Sequence, residues 1–182
     1  MLPQGVERTQ VDIWFQDEMR VGQQGTLTRL WAPRGTRPRV VRQQQYIYTY
    51  VFGAMCPARD EAVGLVLPVA NTEAMTLHLQ AISERVPEGR HALVVVDGAG
   101  WHGERAAEGR HNVSLLKLPP ASPELNPVEW LWQQLRQRYL ANRCFKDEEN
   151  LVQACCEAWN GFTALPGALL RLGTRPWATL EP

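Results

Sequence analysis

The chain has 182 residues, of which 45% are hydrophobic and 21% are charged, and its formal net charge is zero. These values suit a single soluble α/β domain with a sizeable core, and the neutral balance excludes a globally basic nucleic-acid-binding protein. No apolar run approaches the roughly 20 residues that a membrane-spanning helix needs, so no transmembrane helix is predicted.

The N-terminal third predicts strands that are joined by turns. The first ten residues lack the apolar core of a signal peptide, so a cytoplasmic location is expected. Val11 to Asp17 alternates between two faces and predicts a strand that ends in the acidic pair Asp17-Glu18. Thr26 to Trp31 and Tyr46 to Met55 are two further strand candidates, separated by a Pro- and Gly-rich turn. Three strands in this order indicate an antiparallel meander.

The middle of the chain alternates between strand and helix patterns. The candidates are a strand at Ala62–Val69, a helix from Asn71 or Thr72 to about Val86, and strands at Ala92–Val96 and Val113–Leu118. Ala92 to Val96 is a continuous apolar run, as in strands that are buried on both faces, and Asp97 follows it directly. A meander followed by alternating strands and helices indicates a mixed sheet with helices on its faces.

The stretch LPPASPELNPVEWLW, from Leu118 to Trp132, is a proline-rich loop that leads into a helix. Asn126 is a good N-cap, Pro127 suits the first helical position, and Glu129 then falls at the third position, as in a capping box. Trp132 belongs to an apolar stripe at helical spacing, which predicts core packing for its indole. Glu129 lies on a different, polar face at a rigid helix entrance.

The C-terminal part predicts further helices. The helix that opens at Pro127 is expected to continue to about Leu140, and another should run from about Asp147 to Gly161. Residues 162–182 contain several Gly and Pro residues and predict a weakly structured tail with one short helix around Ala168 to Leu172. The expectation is one domain over residues 1–182, with its core at about 11–161.

Three acidic residues stand where catalytic side chains are often found. Asp17 ends the first predicted strand, Asp97 ends the most buried strand, and Glu129 opens a helix 32 positions later. Ligand sites in open α/β sheets gather at the carboxyl ends of strands. Each acid also has a purely structural interpretation, as a strand-end turn residue or a helix-start acid. If the three converge, their repulsion requires a cation, and oxygen ligands suit Mg²⁺ or Mn²⁺.

A local basic stretch follows the first of these acids. From Met19 to Arg59 the sequence has seven Arg and no Asp or Glu. Arg binds phosphates bidentately, so the stretch indicates a phosphate-binding surface next to Asp17. Two Mg²⁺ or Mn²⁺ ions about 3.5–4 Å apart activate an attacking oxygen and stabilise a leaving oxygen at phosphorus. The acids and the Arg residues together favour an enzyme that cuts or joins nucleic acid strands.

Three blocks of sequence stand out together: QDEMR (Gln16–Arg20), VVVDGAGWH (Val94–His102) and LPPASPELNPVEWLW (Leu118–Trp132). They resemble the catalytic domain of the DDE transposases of the mariner superfamily, in particular their bacterial insertion-sequence relatives. WAPRGTRP (Trp31–Pro38) is similar to the segment after that family's second strand. The resemblance implies a ribonuclease H-like α/β fold, with a mixed five-stranded sheet of three antiparallel strands followed by parallel strands, and helices on both faces.

The resemblance also implies roles for single residues. By position, Asp17, Asp97 and Glu129 match the catalytic, metal-binding triad of the family, and Asp17 is favoured over the adjacent Glu18. The family's second motif usually reads Asp-Asn, whereas Gly follows Asp97 here. His102 matches a position that is often His in the bacterial relatives, and a positioning, a DNA-contacting or a structural hydrogen-bonding role fits it. The residues expected at the DNA are Arg20, Arg34, Arg37, Arg39, His102 and Arg136.

The activity that the resemblance implies is nicking of DNA at transposon ends and strand transfer into target DNA, with two Mg²⁺ or Mn²⁺ ions as cofactors. Transposon-end and target DNA are therefore the expected partners, and a homodimer is a further expectation. Such transposases carry N-terminal helix-turn-helix DNA-binding domains, but only about ten residues precede the first predicted strand here, and no basic recognition helix is visible. Three explanations stay open: the chain is the downstream half of a split reading frame with a separate helix-turn-helix polypeptide as partner, a truncated copy, or an excised part of a longer protein.

A bacterial, nucleoid-associated location in the cytoplasm follows from the same resemblance. Two alternatives stay open from the sequence. One is a ribonuclease H-like nuclease that does not transpose DNA and shares only the metal site. The other is a truncated, non-catalytic remnant that binds DNA or pairs with a longer protein.

Overall fold

The computed structural model describes residues 5–120 and 122–173, and these form five strands and four α-helices. The strands are β1 (Val11–Gly22), β2 (Tyr48–Cys56), β3 (Glu61–Leu67), β4 (His91–Val96) and β5 (Val113–Lys117). The helices are α1 (Thr72–Arg85), α2 (Val128–Leu135), α3 (Glu148–Thr163) and α4 (Ala168–Gly173). None of the described helices is long and apolar enough to cross a membrane.

The strands form one mixed sheet in the order β3-β2-β1-β4-β5. β1 pairs antiparallel with β2, and β2 with β3, whereas β4 runs parallel to β1 and β5 runs parallel to β4. The predicted architecture, an antiparallel meander followed by parallel strands, is therefore confirmed. β4 lies between two other strands and is buried, as its continuous apolar run predicts.

The strand predicted at Thr26 to Trp31 is wrong, because residues 23–47 form a long connection that contains no strand. The large apolar side chains of Thr26 to Trp31 are all at least 50% exposed: Leu27, Leu30 and Trp31. No neighbouring layer buries them, so a strand at this place would have nothing to pack against. β1 instead continues past the acidic pair and pairs with β2 as far as Gly22, opposite Tyr48. The third strand of the meander is β3.

Helices cover both faces of the sheet, and strand alternation decides which side chains each face receives. On one face, Leu79 of α1 packs in a cluster with Trp14 of β1. On the other face, α2, α3 and α4 pack in a second cluster, which contains Trp132. Burying each such large side chain contributes about 1.5–3 kcal/mol. The consecutive acids Asp17 and Glu18 therefore face different layers of the protein.

The C-terminal helices extend the second layer. α2 is followed directly by a single π-helical turn, Arg136–Leu140, so the helix predicted to about Leu140 is confirmed in extent. The short helix predicted around Ala168 to Leu172 is α4, and its Leu169 is 1% exposed. The side chain of Asp60 accepts hydrogen bonds from backbone N–H groups in the first turn of α4. Residues 174–182 of the predicted tail lie outside the described residues.

Candidate active site

Helix α2 starts at a defined point because Asn126 holds its first turn. Asn126 Oδ1 accepts the N–H of Val128 at 3.2 Å, and Nδ2 donates to the Gln16 carbonyl at 2.9 Å. The helix begins at Val128, one residue later than predicted, with Pro127 already in a helical conformation. One buried amide therefore caps the helix and ties it to β1 beside Asp17.

The three acids that the sequence singled out line one cleft of about 300 Å³ at the end of β4. Asp17 projects from β1, Asp97 directly follows β4, and Glu129 lies in the first turn of α2. Residues 118–120 and Asn126 form part of the cleft wall. The structure thus brings Asp97 and Glu129 close to Asp17, although both lie 80 or more positions after it in the sequence.

Asp17 is the most buried of the three carboxylates. Its Oδ2 accepts a hydrogen bond from Trp132 Nε1 at 2.8 Å. Burial raises the pKa of Asp17 from 3.8 to about 7; the Trp132 hydrogen bond opposes this rise, and the negative charges of Glu129 and Glu18 add to it. A cation in the cleft would favour the ionised carboxylate, because it would offset both burial and repulsion.

Asp97 is held by its own turn and by a buried histidine. Its side chain is 54% exposed, and its Oδ1 accepts the N–H of Ala99 at 2.9 Å. The same oxygen lies 2.6 Å from Nδ1 of His102, whose side chain is 0% exposed. The other ring nitrogen, Nε2, lies 2.9 Å from Oε1 of Glu18, which also accepts from Gln16 Nε2 at 2.8 Å. The histidine therefore bridges one acid of the cleft and the acid on the opposite face.

The His102 ring lies between two carboxylates, and both affect its pKa. Burial lowers the pKa of His102, but the hydrogen bond and charge of Glu18, together with the charge of Asp97, outweigh it and raise the pKa above its ordinary value. A fully buried ring has no surface for DNA, so the DNA-contacting interpretation of His102 does not fit its position. The hydrogen-bonding interpretation describes the contacts that the structure shows.

The described side chains of the cleft have the chemistry to bind a hard divalent cation, although they do not stand in metal-binding geometry. Asp17, Asp97 and Glu129 offer carboxylate oxygens, which Mg²⁺ and Mn²⁺ prefer. Across residues 5–120 and 122–173, no three His, Cys, Asp or Glu side chains stand in metal-binding geometry. Glu18 is excluded from the cleft, because strand alternation turns it to the α1 face, where it contacts His102.

The arginines expected at DNA lie outside the cleft lining, and all of them are exposed: Arg20, Arg34, Arg37, Arg39 and Arg136. The Arg20 guanidinium stacks 4.0 Å from the ring centroid of Tyr48. Arg34, Arg37 and Arg39 belong to the connection at residues 23–47, and Arg136 directly follows α2. Their exposure is compatible with binding a polyanion, but it assigns no partner.

Both ends of the connection at residues 23–47 are fastened to a short segment that follows α2. The side-chain amide of Asn142 bonds the N–H and the carbonyl of Thr28, at 3.1 and 3.2 Å. Gln23 and Gln43 both donate to the carbonyl of Phe145, at 2.8 and 2.7 Å. The base of the basic connection is therefore positioned by the same part of the chain that extends from the active-site helix.

Sequence reasoning missed the contacts that support the acids. The indole of Trp132 faces Asp17, and a signal was present, since Trp132 follows Glu129 by about one helical turn. The Glu18–His102 contact had a weaker signal, an acid next to the triad position and a histidine five residues after Asp97. The bond from Asn126 to the Gln16 carbonyl has no sequence signal, because every residue has a carbonyl.

Comparisons with known proteins bear on the whole arrangement. The family model described as DDE superfamily endonuclease matches residues 12–152. The uncharacterized protein y4pE/y4sA of Sinorhizobium fredii (strain NBRC 101917 / NGR234) is 46% identical over 132 residues, which are 72% of this chain and 98% of that protein.

Solved structures of low sequence identity share the fold. A Mos1 strand transfer complex has 17% identity and a TM-score of 0.64, over 91% of this chain and 51% of that chain. A Mos1 mariner paired end complex with Mn has the same identity and TM-score, over 88% and 51%. This chain therefore spans about half the length of those Mos1 chains, and the likeness confirms the ribonuclease H-like fold.

Proposed function

The chain belongs to the DDE superfamily endonucleases, and we propose that it acts as a transposase catalytic domain that nicks DNA at transposon ends and transfers the freed strand into target DNA. The observation that carries the proposal is the single cleft lined by Asp17, Asp97 and Glu129. All three acids lie within the part of the chain that the family model matches. Structures of the same fold include a Mos1 strand transfer complex and a Mos1 mariner paired end complex with Mn.

In this proposal the three carboxylates hold Mg²⁺ or Mn²⁺, and two ions are expected. The donor set supports this assignment, since it consists of hard oxygen ligands, and the described residues that line the cleft include three acids and no Lys or Arg. Bound ions would stabilise charge on the phosphoryl oxygens and make an attacking water more acidic. In the first step water attacks a phosphodiester and displaces its 3′ oxygen, which leaves a 3′ hydroxyl and a 5′ phosphate. In the second step that hydroxyl attacks a phosphate of the target DNA and displaces the 3′ oxygen of the target strand.

The chain's own residues set where the carboxylates point. Asn126 determines where α2 begins, and hence the position of Glu129 relative to β1. His102 and the Ala99 N–H orient Asp97. A displacement of about 1 Å among reacting groups costs on the order of a hundredfold in rate, so these supports bear on catalysis without touching DNA.

The exposed arginines are proposed to bind the DNA backbone. They are Arg20, Arg34, Arg37, Arg39 and Arg136, and each carries a charge that phosphate oxygens attract at any physiological pH. Because such binding releases counterions, plasmid affinity is expected to fall steeply between about 50 and 200 mM salt. A pairing of two copies, and a separate helix-turn-helix polypeptide that recognises transposon ends, stay predictions.

The proposal is tested with purified protein and three substrates: supercoiled DNA that carries the element's inverted repeats, an RNA–DNA hybrid and branched DNA. We expect Mg²⁺- or Mn²⁺-dependent nicking at the repeat ends, abolished by a chelator, and joining of the cut ends to a second plasmid. Cleavage of the hybrid or the branched DNA in preference to the repeats would assign the chain to a non-transposing nuclease. Binding of DNA without any cleavage would assign it to the non-catalytic alternative.

A further inference from the structure

We propose that Trp132 is a positioning residue, whose indole N–H orients the Asp17 carboxylate relative to the helix that carries Glu129. Trp132 Nε1 donates to Asp17 Oδ2 at 2.8 Å, and the indole is 1% exposed. The inference rests on the proposed function, because it assigns a supporting role at the same cleft. It goes beyond core packing, which alone does not require an indole rather than another large ring.

The hydrogen bond restricts one of the two carboxylate oxygens. A donor on a buried ring gives Oδ2 of Asp17 one defined direction, and Asp17 lines the cleft. A hydrogen bond to an ionised acceptor is roughly twice as strong as a neutral one, and its geometry is correspondingly well defined. A rotating carboxylate would have to lose that freedom each time a cation bound.

The position of Trp132 on α2 couples two acids of the cleft. Trp132 follows Glu129 by three positions, which is nearly one helical turn, so both side chains are carried by the same rigid segment. The helix thus contributes one carboxylate of its own and holds a second one on β1. Asn126 makes a further direct bond between the start of this helix and β1, through the Gln16 carbonyl.

The sheet is built to admit the indole at this place. Gly53 lies opposite Asp17 on β2, and a Cβ atom added to it would come within 2.3 Å of the Trp132 ring. Gly64 lies opposite Gly53 on β3, and its Cβ would come within 2.4 Å of Trp159. Two neighbouring glycines therefore seat two indoles, of which Trp132 is the one whose N–H reaches an acid of the cleft.

This pair of indoles supplies a matched control. Trp132 and Trp159 have ring centroids 6.1 Å apart and lie in the same buried cluster. Trp132→Phe and Trp159→Phe remove the same ring volume from one core, but only Trp132→Phe removes the donor to Asp17. Both variants are expected to lower the melting temperature, so folding is checked by circular dichroism before binding is measured.

The experiment measures Mn²⁺ binding by calorimetry in the full chain, together with the indole N–H signals of an ¹H–¹⁵N spectrum. Loss of a group that orients a metal ligand costs about 10- to 100-fold in metal affinity, so Trp132→Phe should weaken Mn²⁺ binding by that factor. Trp159→Phe should bind Mn²⁺ as the wild type does. In the metal-free protein, Asp17→Ala should shift the indole signal that Trp132→Phe removes.

The outcomes separate this inference from the proposed function. If the wild type binds Mn²⁺ and Trp132→Phe binds it equally well, the positioning role is wrong while the function stands. Equal losses in both Trp variants would show a general packing effect and would also overturn the role. If the wild type binds no Mn²⁺, the proposed function fails. In that case, a Trp132 indole signal that does not move in Asp17→Ala would also overturn the hydrogen bond between Trp132 and Asp17.

Discussion

Asp17 and Glu18 are consecutive acids on β1, yet the two faces of the sheet place them in opposite surroundings. Asp17 lies on the α2 side, in a cleft with two further acids, and burial raises its pKa to about 7. Glu18 lies on the α1 side, where its Oε1 accepts from Gln16 and lies 2.9 Å from a ring nitrogen of His102. The α2 face brings three acids together in one cleft, whereas on the α1 face the carboxylate of Glu18 contacts a histidine.

The difference shows how one strand places one acid in the cleft and the next acid behind it, in contact with the histidine that reaches Asp97. Glu18 contacts His102 on the α1 side and does not line the cleft, so it offers no oxygen to a cation there. A carboxylate beside other carboxylates gains from any cation that enters. The histidine links the two faces, since its second ring nitrogen reaches Asp97. Four predictions test this division of roles, in order of decreasing effect.

The largest effect is expected for Asp97→Asn and Asp17→Asn. Each replaces a proposed carboxylate ligand by a neutral amide of the same shape. Metal-assisted catalysis supplies several kcal/mol, so metal-dependent nicking should fall on the order of a thousandfold. The measurement is plasmid nicking over time with Mg²⁺ or Mn²⁺. Glu149→Gln, on the exposed surface of α3, is the matched control and should cleave normally. Wild-type rates in either Asn variant would remove that acid from the proposed site.

The next effect concerns Gly53, which the Trp132 and Trp159 rings pack against on the Asp17 face of the sheet. Gly53→Ala places a methyl group 2.3 Å from Trp132 and 2.7 Å from Trp159, so the rings must move. Overpacking of this kind costs about 1–3 kcal/mol, and the upper end is expected because two rings are blocked. Urea unfolding measures the loss. Gly98→Ala is the control, since its Cβ meets nothing within 4 Å; equal destabilisation by both changes would contradict the close packing.

The third effect is a pH dependence of the metal-free protein. The pKa of Asp17 rises from 3.8 to about 7 on folding, so the folded state binds more protons, and stability falls as pH rises between these values. One pKa unit corresponds to about 1.4 kcal/mol, which sets an upper limit of about 4 kcal/mol. Asp17→Asn should therefore stabilise the chelator-treated protein by about 2 kcal/mol at pH 8 and by almost nothing at pH 3.

Thermal unfolding of wild type and Asp17→Asn at the two pH values provides the comparison. The Asn side chain retains an oxygen that can accept from Trp132, so packing and the hydrogen bond are preserved as far as possible. A stability gain that is the same at pH 3 and pH 8 would not come from ionisation of Asp17. Added Mg²⁺ should reverse the order at pH 8, because only the carboxylate gains from the cation.

The smallest effect is expected for Glu18→Gln. The amide keeps an oxygen as acceptor but loses the charge that faces His102, so Asp97 should be less firmly oriented. A loss of about tenfold in nicking is expected, as for other groups that orient a metal ligand. If Glu18→Gln reduced nicking as much as Asp17→Asn does, Glu18 would have the direct role in nicking that is proposed for Asp17. His102→Asn should not add a further tenfold to Glu18→Gln if both act through one contact.

Much of the fold follows from local pattern. The apolar run at Ala92 to Val96 predicts a buried strand, and the structure has β4 there. Asn71 and Asp147 are good N-caps, and their side chains accept from Ala74 and Asn150 in the first turns of α1 and α3. Such features involve residues a few positions apart, so the sequence carries them directly.

The failures have a different physical origin. Thr26 to Trp31 is a strand candidate, but a strand needs a neighbouring strand and a layer that buries its apolar side, and its large apolar side chains stay exposed. The convergence of Asp17, Asp97 and Glu129 was predicted from their places at element ends and from family resemblance. The orientation of each carboxylate was not, because it depends on Trp132 and His102, which approach from other elements.

The fastening of residues 23–47 by Asn142 and Phe145 has a consequence for how this part of the protein can evolve. With both ends held, doubling the length of the intervening chain adds only about 0.6 kcal/mol of closure entropy. A change in length at the tip around Gly35 should therefore leave the three acids of the cleft in place. The tip is accordingly a place where a fused module can be inserted at little cost in stability.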